Sequence, residues 1–151
     1  MLRPASDHDA PRVAQLLIDT RRKFMPYAPS AHNDDEVRGW VAATLVPGGG
    51  VIVAEVGGRV LGALATARDS GCAWITQMAV DPAIVGQGLG STLLAHALTT
   101  LPRPIRLYTF QLNGGARRFY ERHGFLAIAF TDGQGNEEHC PDVLYELVAA
   151  P

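Results

Sequence analysis

The sequence contains little that would serve binding to nucleic acid. Lys and Arg together number 13, Lys23 is the only lysine, and the formal net charge of the 151-residue chain is -2. Proteins that bind a nucleic-acid backbone use clustered Lys and Arg, which displace the counterions of the phosphates. We therefore expect no nucleic acid among the partners of this protein.

Long apolar runs and paired cysteines are also missing. No run approaches the roughly 18 apolar residues of a membrane span, and Arg3, Asp7 and Asp9 exclude residues 1–10 as the apolar core of a signal peptide. The two cysteines, Cys72 and Cys140, are far apart, and neither has the spacing of a metal site. We expect reduced thiols, no metal, no membrane contact and a cytoplasmic location.

What the chain does contain is typical of one globular domain spanning residues 1–151. Hydrophobic residues make up 47% and charged residues 19%, enough to build a core of ordinary size. The hydrophobic periodicity predicts strands at 2–5, 51–56, 59–67, 72–80, 105–111, 125–131 and 143–148. Helices are predicted between about 6 and 25, from 33 or 34 to 45, from the glycine cluster at 86–90 to Pro102, and from Asn113 to Gly124. This alternation predicts an α/β layered fold with a mixed sheet.

On the first helix, the predicted apolar face consists of Val13, Leu16, Leu17, Thr20 and Phe24.

Three alternating glycines at 86, 88 and 90 lie between a predicted strand and a predicted helix. Such a turn directs several main-chain N–H groups, together with the helix dipole, at one point, and it can hold a diphosphate without a lysine. A P-loop is excluded because no Gly-Lys-Ser or Gly-Lys-Thr occurs. A dinucleotide fingerprint is excluded because Ser91 stands where its third glycine is required. The alternative is a tight strand-to-helix turn with no ligand.

The segment Gly86-Gln87-Gly88-Leu89-Gly90, after a Val-Asp-Pro strand end, resembles the acetyl-CoA pyrophosphate loop of the GNAT acetyltransferase superfamily. Residues 113–125 are similar to that family's N-x-x-A-x-x-F-Y-x-x-x-G-F segment. Two motifs in this order are more specific than either alone. The resemblance implies a mixed, mostly antiparallel central sheet flanked by helices, and acetyl-CoA as co-substrate. It also implies acetyl transfer to a primary amine of a small molecule, a peptide or a protein.

The resemblance also implies roles for individual residues. The main chain of Met78, Ala79 and Val80 would pair with the pantetheine arm, and Tyr120 would direct its hydroxyl at the sulfur. The remaining coenzyme-binding positions are Val85, Gly86, Gln87, Gly88, Leu89, Gly90, Ser91, Asn113 and Ala116. Val85 departs from the family pattern, which has Gln or Arg there, so a side-chain contact is lost.

Tyr120 is the candidate catalytic residue. An unperturbed tyrosine has a pKa near 10 and a thiol one near 8.5, so the phenol is protonated at working pH and available as a proton donor. The alternative is a core aromatic with a satisfied hydroxyl. Arg117 and Arg118 are either contacts for the phosphates of CoA or solvated surface arginines.

The general base and the acceptor site are less defined. Thr76 and Gln77 occupy the predicted strand where many members of the family carry a glutamate. The candidate bases are Glu55, Glu138 and Asp142, and the candidate acceptor-site residues are Tyr27, His32, Gln77 and Glu138. A mobile surface loop is the alternative for the region of Tyr27 and His32.

Two other functions, and assembly into a homodimer, are alternatives that the sequence leaves open. The absence of a strand carboxylate, together with Val85, suits a CoA-binding sensor that has lost catalysis. A phosphate-loop domain for another nucleotide is the third hypothesis. The tail from Thr131 to Val143 is similar to a recurring ending in one group of GNAT proteins, and it identifies no substrate. A homodimer is a candidate assembly.

Overall fold

The structure, a computed structural model, describes residues 1–69 and 71–148. A seven-stranded sheet has the order β1-β2-β3-β4-β5-β7-β6. The strands are β1 (Leu2–Pro4), β2 (Val51–Val56), β3 (Arg59–Asp69), β4 (Cys72–Val80), β5 (Ile105–Phe110), β6 (Leu126–Phe130) and β7 (Asp142–Leu147). All neighbouring pairs are antiparallel except β4 and β5. The predicted mixed, mostly antiparallel sheet is therefore confirmed.

Four helices flank this sheet: α1 (Ala10–Phe24), α2 (Asp34–Trp40), α3 (Leu89–Thr100) and α4 (Gly114–Arg122). Asn33 caps α2, since its side chain accepts from the Glu36 N–H at 2.8 Å and its own N–H donates to the Glu36 carboxylate at 3.0 Å. The predicted second helix continues beyond α2 in a wider π-helical turn, Val41–Leu45. β2 and β4 have the predicted bounds, and the bounds of the other strands differ from the predicted ones by one or two residues.

Helices lie on both faces of the sheet. Val53 and Ala63 contact the α1 side, whereas their neighbours Ala54 and Leu64 contact the α3 side, as the alternation of strand side chains requires. The buried apolar side chains of α1 are Ala10, Val13, Ala14, Leu16 and Ile18, and Leu17 is partly buried. The prediction for Phe24 was wrong: its side chain is 37% exposed, because the last turn of α1 extends beyond the packed cluster.

The pairing of β4 with β5 determines where a site can form. These strands pair only at Ala73↔Ile105 and Trp74↔Arg106. The β3–β4 register then shifts at Thr76, which is the geometry of a bulge that bends a strand. Beyond that point β4 and β5 separate, and a cleft opens between residues 75–80 and 107–110.

Three further properties belong to residues 1–69 and 71–148. None of the helices there has the length and apolar character needed to cross a membrane. No cluster of three or more His, Cys, Asp or Glu side chains suitable for a metal occurs within these ranges. Cys72 and Cys140 are free thiols.

Asp9, at the start of α1, carries an ion pair that makes stability depend on pH. Arg3 binds both carboxylate oxygens, at 2.8 and 3.0 Å, and the Ser6 N–H donates at 2.7 Å. The Arg3 hydrogen bonds lower the pKa of Asp9 to about 2. A lowered folded-state pKa stabilises the fold above the unfolded pKa, and this contribution is lost as the pH falls through the folded value.

We expect Asp9→Asn to lower the free energy of unfolding, and to do so more at pH 6 than at pH 3. Urea denaturation of both proteins at the two pH values measures the difference. The matched control is Asp35→Asn, at an exposed position in the first turn of α2, which should change stability little at either pH. An equal loss at pH 6 and pH 3 for Asp9→Asn would contradict the assignment.

Candidate active site

The glycine loop ends in a set of main-chain donors. Gly86 and Gly88 have φ values of +90° and +91°, a conformation that side-chain-bearing residues rarely adopt. The first hydrogen bond of α3 runs from the Thr92 N–H to the Gly88 carbonyl at 3.0 Å, so the N–H groups of residues 89–91 have no intrahelical acceptor. No side chain of the described residues caps this end. The N–H groups and the helix dipole together can bind an anion.

Asp81 holds the segment that leads into this loop. Its carboxylate accepts from the Ala83 N–H at 3.0 Å and from Arg12 at 2.8 Å, and these two contacts, the Ala83 bond first, lower its pKa. Arg12 also donates to the Val60 carbonyl at 2.7 Å. The turn Pro82–Ile84 is thereby tied to α1 and β3. Val85 follows, 49% exposed.

The free edge of β4 faces the cleft. The Asp81 N–H donates to the Leu61 carbonyl of β3 at 2.8 Å, and hydrogen bonding alternates along an antiparallel strand. The N–H and C=O groups of Met78 and Val80 therefore point away from β3, toward the space that β5 has left. An extended chain that carries amides can pair with this edge.

Tyr120, on α4, brings a phenol to the same cleft. Its side chain is 9% exposed, with the ring in edge contact with Phe119 and Phe125 at centroid distances of 5.1 and 5.7 Å. The hydroxyl donates to the Met78 Sδ at 3.6 Å, and sulfur is a weak acceptor. Burial raises the pKa of Tyr120 to about 12, so the phenol stays protonated.

Asn113 sets the start of α4. Its Oδ1 accepts from the Ala116 N–H at 3.2 Å, which caps the helix that carries Tyr120. Arg117, on the same helix, donates to the Tyr145 hydroxyl at 3.0 Å and lies 5.6 Å from the Phe130 ring centroid. Tyr145 in turn donates to Glu121 at 2.6 Å. These contacts fix α4 on β7, and they give Arg117 a structural role. Arg118 is exposed.

Three distant segments meet at the other end of the cleft, which we call the acceptor end. They are the end of α1 (Thr20, Arg21, Phe24 and Met25), Phe110 of β5, and the β6–β7 loop at residues 131–142. Arg21 links them: it donates to the Ala28 carbonyl at 3.0 Å, lies 3.3 Å from Glu138, and covers the Phe110 ring at 5.8 Å.

The cleft is a cavity of about 940 Å³ that brings most of the predicted site residues together. Those that line it are Gln77, Met78, Ala79, Val80, Val85, Gly86, Gly88, Leu89, Gly90, Ser91, Asn113, Ala116, Tyr120, Glu138 and Asp142. Gln87 is exposed on the loop outside the lining.

Three other candidates lie away from the cavity wall. Tyr27 packs edge-on against Phe110 at 6.3 Å, and its buried hydroxyl has no partner among the described residues. His32 is exposed, with its Nε2 3.0 Å from Glu137. Glu55 lies on β2, 3.4 Å from Arg3.

Sequence reasoning missed Thr20, Arg21, Met25 and Phe110. Thr20 and Phe24 were predicted only as members of the apolar face of the first helix. The one local signal was the helix end before Pro26, which places the last turn of α1 beside a loop. Nothing local indicated that this turn meets β5 and the β6–β7 loop.

The separated strands, the glycine loop and the buried phenol thus form one cleft, and the sequence around them matches a known protein family. The model of the acetyltransferase (GNAT) family matches residues 14–125. The chain belongs to the GNAT acetyltransferase family. No curated protein sequence matches it.

Solved structures share the GNAT fold at low sequence identity. A GNAT family acetyltransferase from Bacillus cereus ATCC 10987 is 18% identical with a TM-score of 0.77, over 100% of this chain and 98% of that one. The PaiA N-acetyltransferase from Thermoplasma acidophilum, in complex with coenzyme A, is 16% identical with a TM-score of 0.76, over 99% and 98%. Arabidopsis thaliana Naa50, in complex with the bisubstrate analogue CoA-Ac-MVNAL, is 22% identical with a TM-score of 0.72, over 99% and 98%.

Acetyl-CoA, the co-substrate of the GNAT family, fits the residues present. Its diphosphate matches the free N–H groups at residues 89–91, and its amide-containing arm matches the open edge at Met78 and Val80. A Cβ added at Gly86 or Gly88 would meet nothing within 4 Å. Gly86 and Gly88 are therefore glycines for their backbone conformation rather than for lack of space within the protein.

We expect Gly88→Ala to weaken CoA binding, because an L side chain at φ +91° strains the turn by about 1–2 kcal/mol. The free loop relieves this strain by leaving the binding conformation, and binding must restore it. Isothermal titration calorimetry with CoA measures the effect, and a rise in Kd of roughly tenfold corresponds to that energy. Gly39→Ala, in α2 with open space around its Cβ position, is the matched control and should leave Kd unchanged. An unaltered Kd for Gly88→Ala would argue against the cradle.

Proposed function

We propose that this GNAT acetyltransferase is a cytoplasmic N-acetyltransferase that transfers the acetyl group of acetyl-CoA to a primary amine. The amine belongs to a small molecule, a peptide or a protein, and it attacks the thioester directly. One observation carries the proposal: free main-chain donors, an open strand edge and a buried phenol face the same cleft. Residues 1–151 act in this proposal as one domain.

Different residues of the chain bind different parts of acetyl-CoA. The N–H groups of residues 89–91 hold the diphosphate, and Met78 and Val80 pair with the pantetheine arm. Asn113 and Ala116 lie beside that arm at the start of α4. Because the diphosphate contacts come from the main chain, they do not need a Gln or Arg at position 85.

Acetyl-CoA supplies a thioester whose carbonyl carbon accepts the lone pair of the amine, and the carbon–sulfur bond then breaks. A main-chain N–H of the open β4 edge, at Met78, donates to the oxygen on which negative charge develops. Tyr120 donates its proton to the departing sulfur. Before it attacks, the ammonium form of the amine loses one proton through water to a carboxylate of the cavity wall, where Glu138 and Asp142 lie. After the attack the nitrogen loses a second proton, which returns through water to the Tyr120 oxygen.

Burial acts on both partners of the Tyr120 proton transfer. It raises the pKa of Tyr120 to about 12, and in the same apolar surroundings it disfavours a free thiolate as well. The raised pKa keeps the phenol protonated until a strong proton acceptor, the departing sulfur, lies beside it. The contact of the hydroxyl with Met78 Sδ at 3.6 Å leaves the phenol free to exchange a weak acceptor for a charged one.

We expect Tyr120→Phe to lower kcat by roughly 100-fold, as loss of a general acid does, while the Kd for CoA changes little. Steady-state kinetics with an authentic amine and calorimetry with CoA measure the two quantities. Tyr108→Phe is the control for removal of a different phenol of the cleft wall, since Tyr108 is 54% exposed and its ring stacks on Trp74. Unchanged turnover in Tyr120→Phe would remove the phenol from the mechanism.

A CoA-binding sensor without catalysis is the second candidate. Thr76 and Gln77 stand on β4 in place of a carboxylate, which favours it. Calorimetry with CoA and thiol release across a panel of amines separate the two functions. Binding without thiol release would support the sensor, and substantial acetylation of any amine would exclude it. Thermal shift with CoA, ATP and NAD tests the third hypothesis, because the true ligand gives the largest stabilisation.

A further inference from the structure

We propose that the acceptor is a primary amine with an apolar substituent and no carboxylate next to the amine, and that Glu138 is the residue that selects it. This inference rests on the proposed N-acetyltransferase function. It follows from three features of the acceptor end: the hydrogen-bonded loop that carries Glu138, the net negative charge, and the apolar side chains that line the cavity.

The β6–β7 loop that carries Glu138 is held by its own side chains. The Asn136 amide donates to the Cys140 carbonyl at 2.7 Å and to Asp142 at 3.1 Å, and it accepts from the Cys140 N–H at 3.1 Å. The Thr131 hydroxyl donates to the other oxygen of Asp142. The loop therefore has a defined shape without helix or strand, and it presents Glu138 to the cavity.

Arg21 is engaged by the protein and is not a free receptor for a carboxylate. One of its Nη atoms donates to the Ala28 carbonyl, the other contacts the Glu138 Oε1, and the guanidinium covers the Phe110 ring. Glu138 keeps its second oxygen, Oε2, without a donor among the described residues. The Glu138 side chain is only 16% exposed and lines the cavity, so its free oxygen is available to an ammonium group that enters there.

The charges of the acceptor end sum to a negative value. Arg21 and Glu138 compensate each other, whereas Asp142, buried at 8% exposure, is held by the neutral groups of Thr131 and Asn136. Arg122, the other arginine of the cavity wall, lies over Phe119 at 5.8 Å, toward the glycine loop. A cationic amine is therefore attracted to this end, and a carboxylate next to the amine is repelled.

The remaining walls are apolar. Phe24, Met25 and Phe110 line the acceptor end beside the charged groups. Thr20 also lines it, and its buried hydroxyl has no partner in the part of the chain that the structure describes. Burying an aliphatic or aromatic substituent against these side chains is favourable in proportion to its apolar area. The ammonium group and its substituent thus find separate complementary surfaces.

Matched amines that differ only by a carboxylate test the selection. We expect kcat/KM for 2-phenylethylamine to exceed that for L-phenylalanine at least tenfold, with tryptamine and L-tryptophan giving the same order. A tripeptide amide with N-terminal Phe also lacks a carboxylate beside its amine, and it represents a peptide acceptor, whereas 2-phenylethylamine represents a small-molecule acceptor. The compound with the higher kcat/KM identifies which of these two classes the protein uses.

The role of Glu138 is tested with the same compounds. We expect Glu138→Gln to raise the KM for the preferred amine roughly tenfold and to reduce its advantage over the amino acid, with the KM for acetyl-CoA unchanged. Glu138→Asp should restore part of the preference. Glu137→Gln, at an exposed neighbour, is the control, and thermal melting of each variant checks the fold.

The outcomes distinguish failure of this inference from failure of the proposed N-acetyltransferase function. Acetylation of L-phenylalanine as efficient as that of 2-phenylethylamine, or an unaltered preference in Glu138→Gln, overturns the inference and leaves the N-acetyltransferase function standing. Binding of CoA with no acetylation of any amine overturns the proposed function, and the inference falls with it.

Discussion

The separation of β4 from β5 is the constraint on which the site depends. The two strands pair at two positions, Ala73↔Ile105 and Trp74↔Arg106, and then diverge after the register shift at Thr76. Main-chain groups within a sheet are normally paired. At Met78 and Val80 these groups have no strand partner, and they are available to a ligand. It gives the fold one place where an extended ligand can take the position of a strand, with helices on either side to supply the remaining contacts.

The other parts of the site relate to this gap by simple geometry. The loop after β4 turns at once into α3, so the helix donors lie beyond the end of the open edge. The helix after β5 carries Tyr120 back over Met78, where burial keeps the phenol protonated. One strand–helix unit thus offers anion binding and the next offers acid chemistry. Both rely on main-chain geometry and burial, which explains how Val85 is compatible with the arrangement.

The local parts of this site could be predicted from the sequence, and the long-range parts could not. Alternating glycines before a helix indicate an anion-binding turn by spacing alone, and the Asn113–Phe125 segment directed attention to Tyr120. The sheet followed from strand periodicity and one crossover. The acceptor end joins the last turn of α1, Phe110 and the β6–β7 loop, which are about 90 and 20 residues apart along the chain. No local pattern encodes that meeting, and Phe24 was therefore predicted only as part of the apolar face of α1.

The open edge of β4 also links folding to metabolism. A ligand that pairs with Met78 and Val80 forms the main-chain hydrogen bonds that β5 does not form with this part of β4. Its binding energy adds directly to the stability of the native state, growing with the logarithm of ligand concentration. Under the proposed function, the resistance of this protein to unfolding rises with the concentration of the coenzyme.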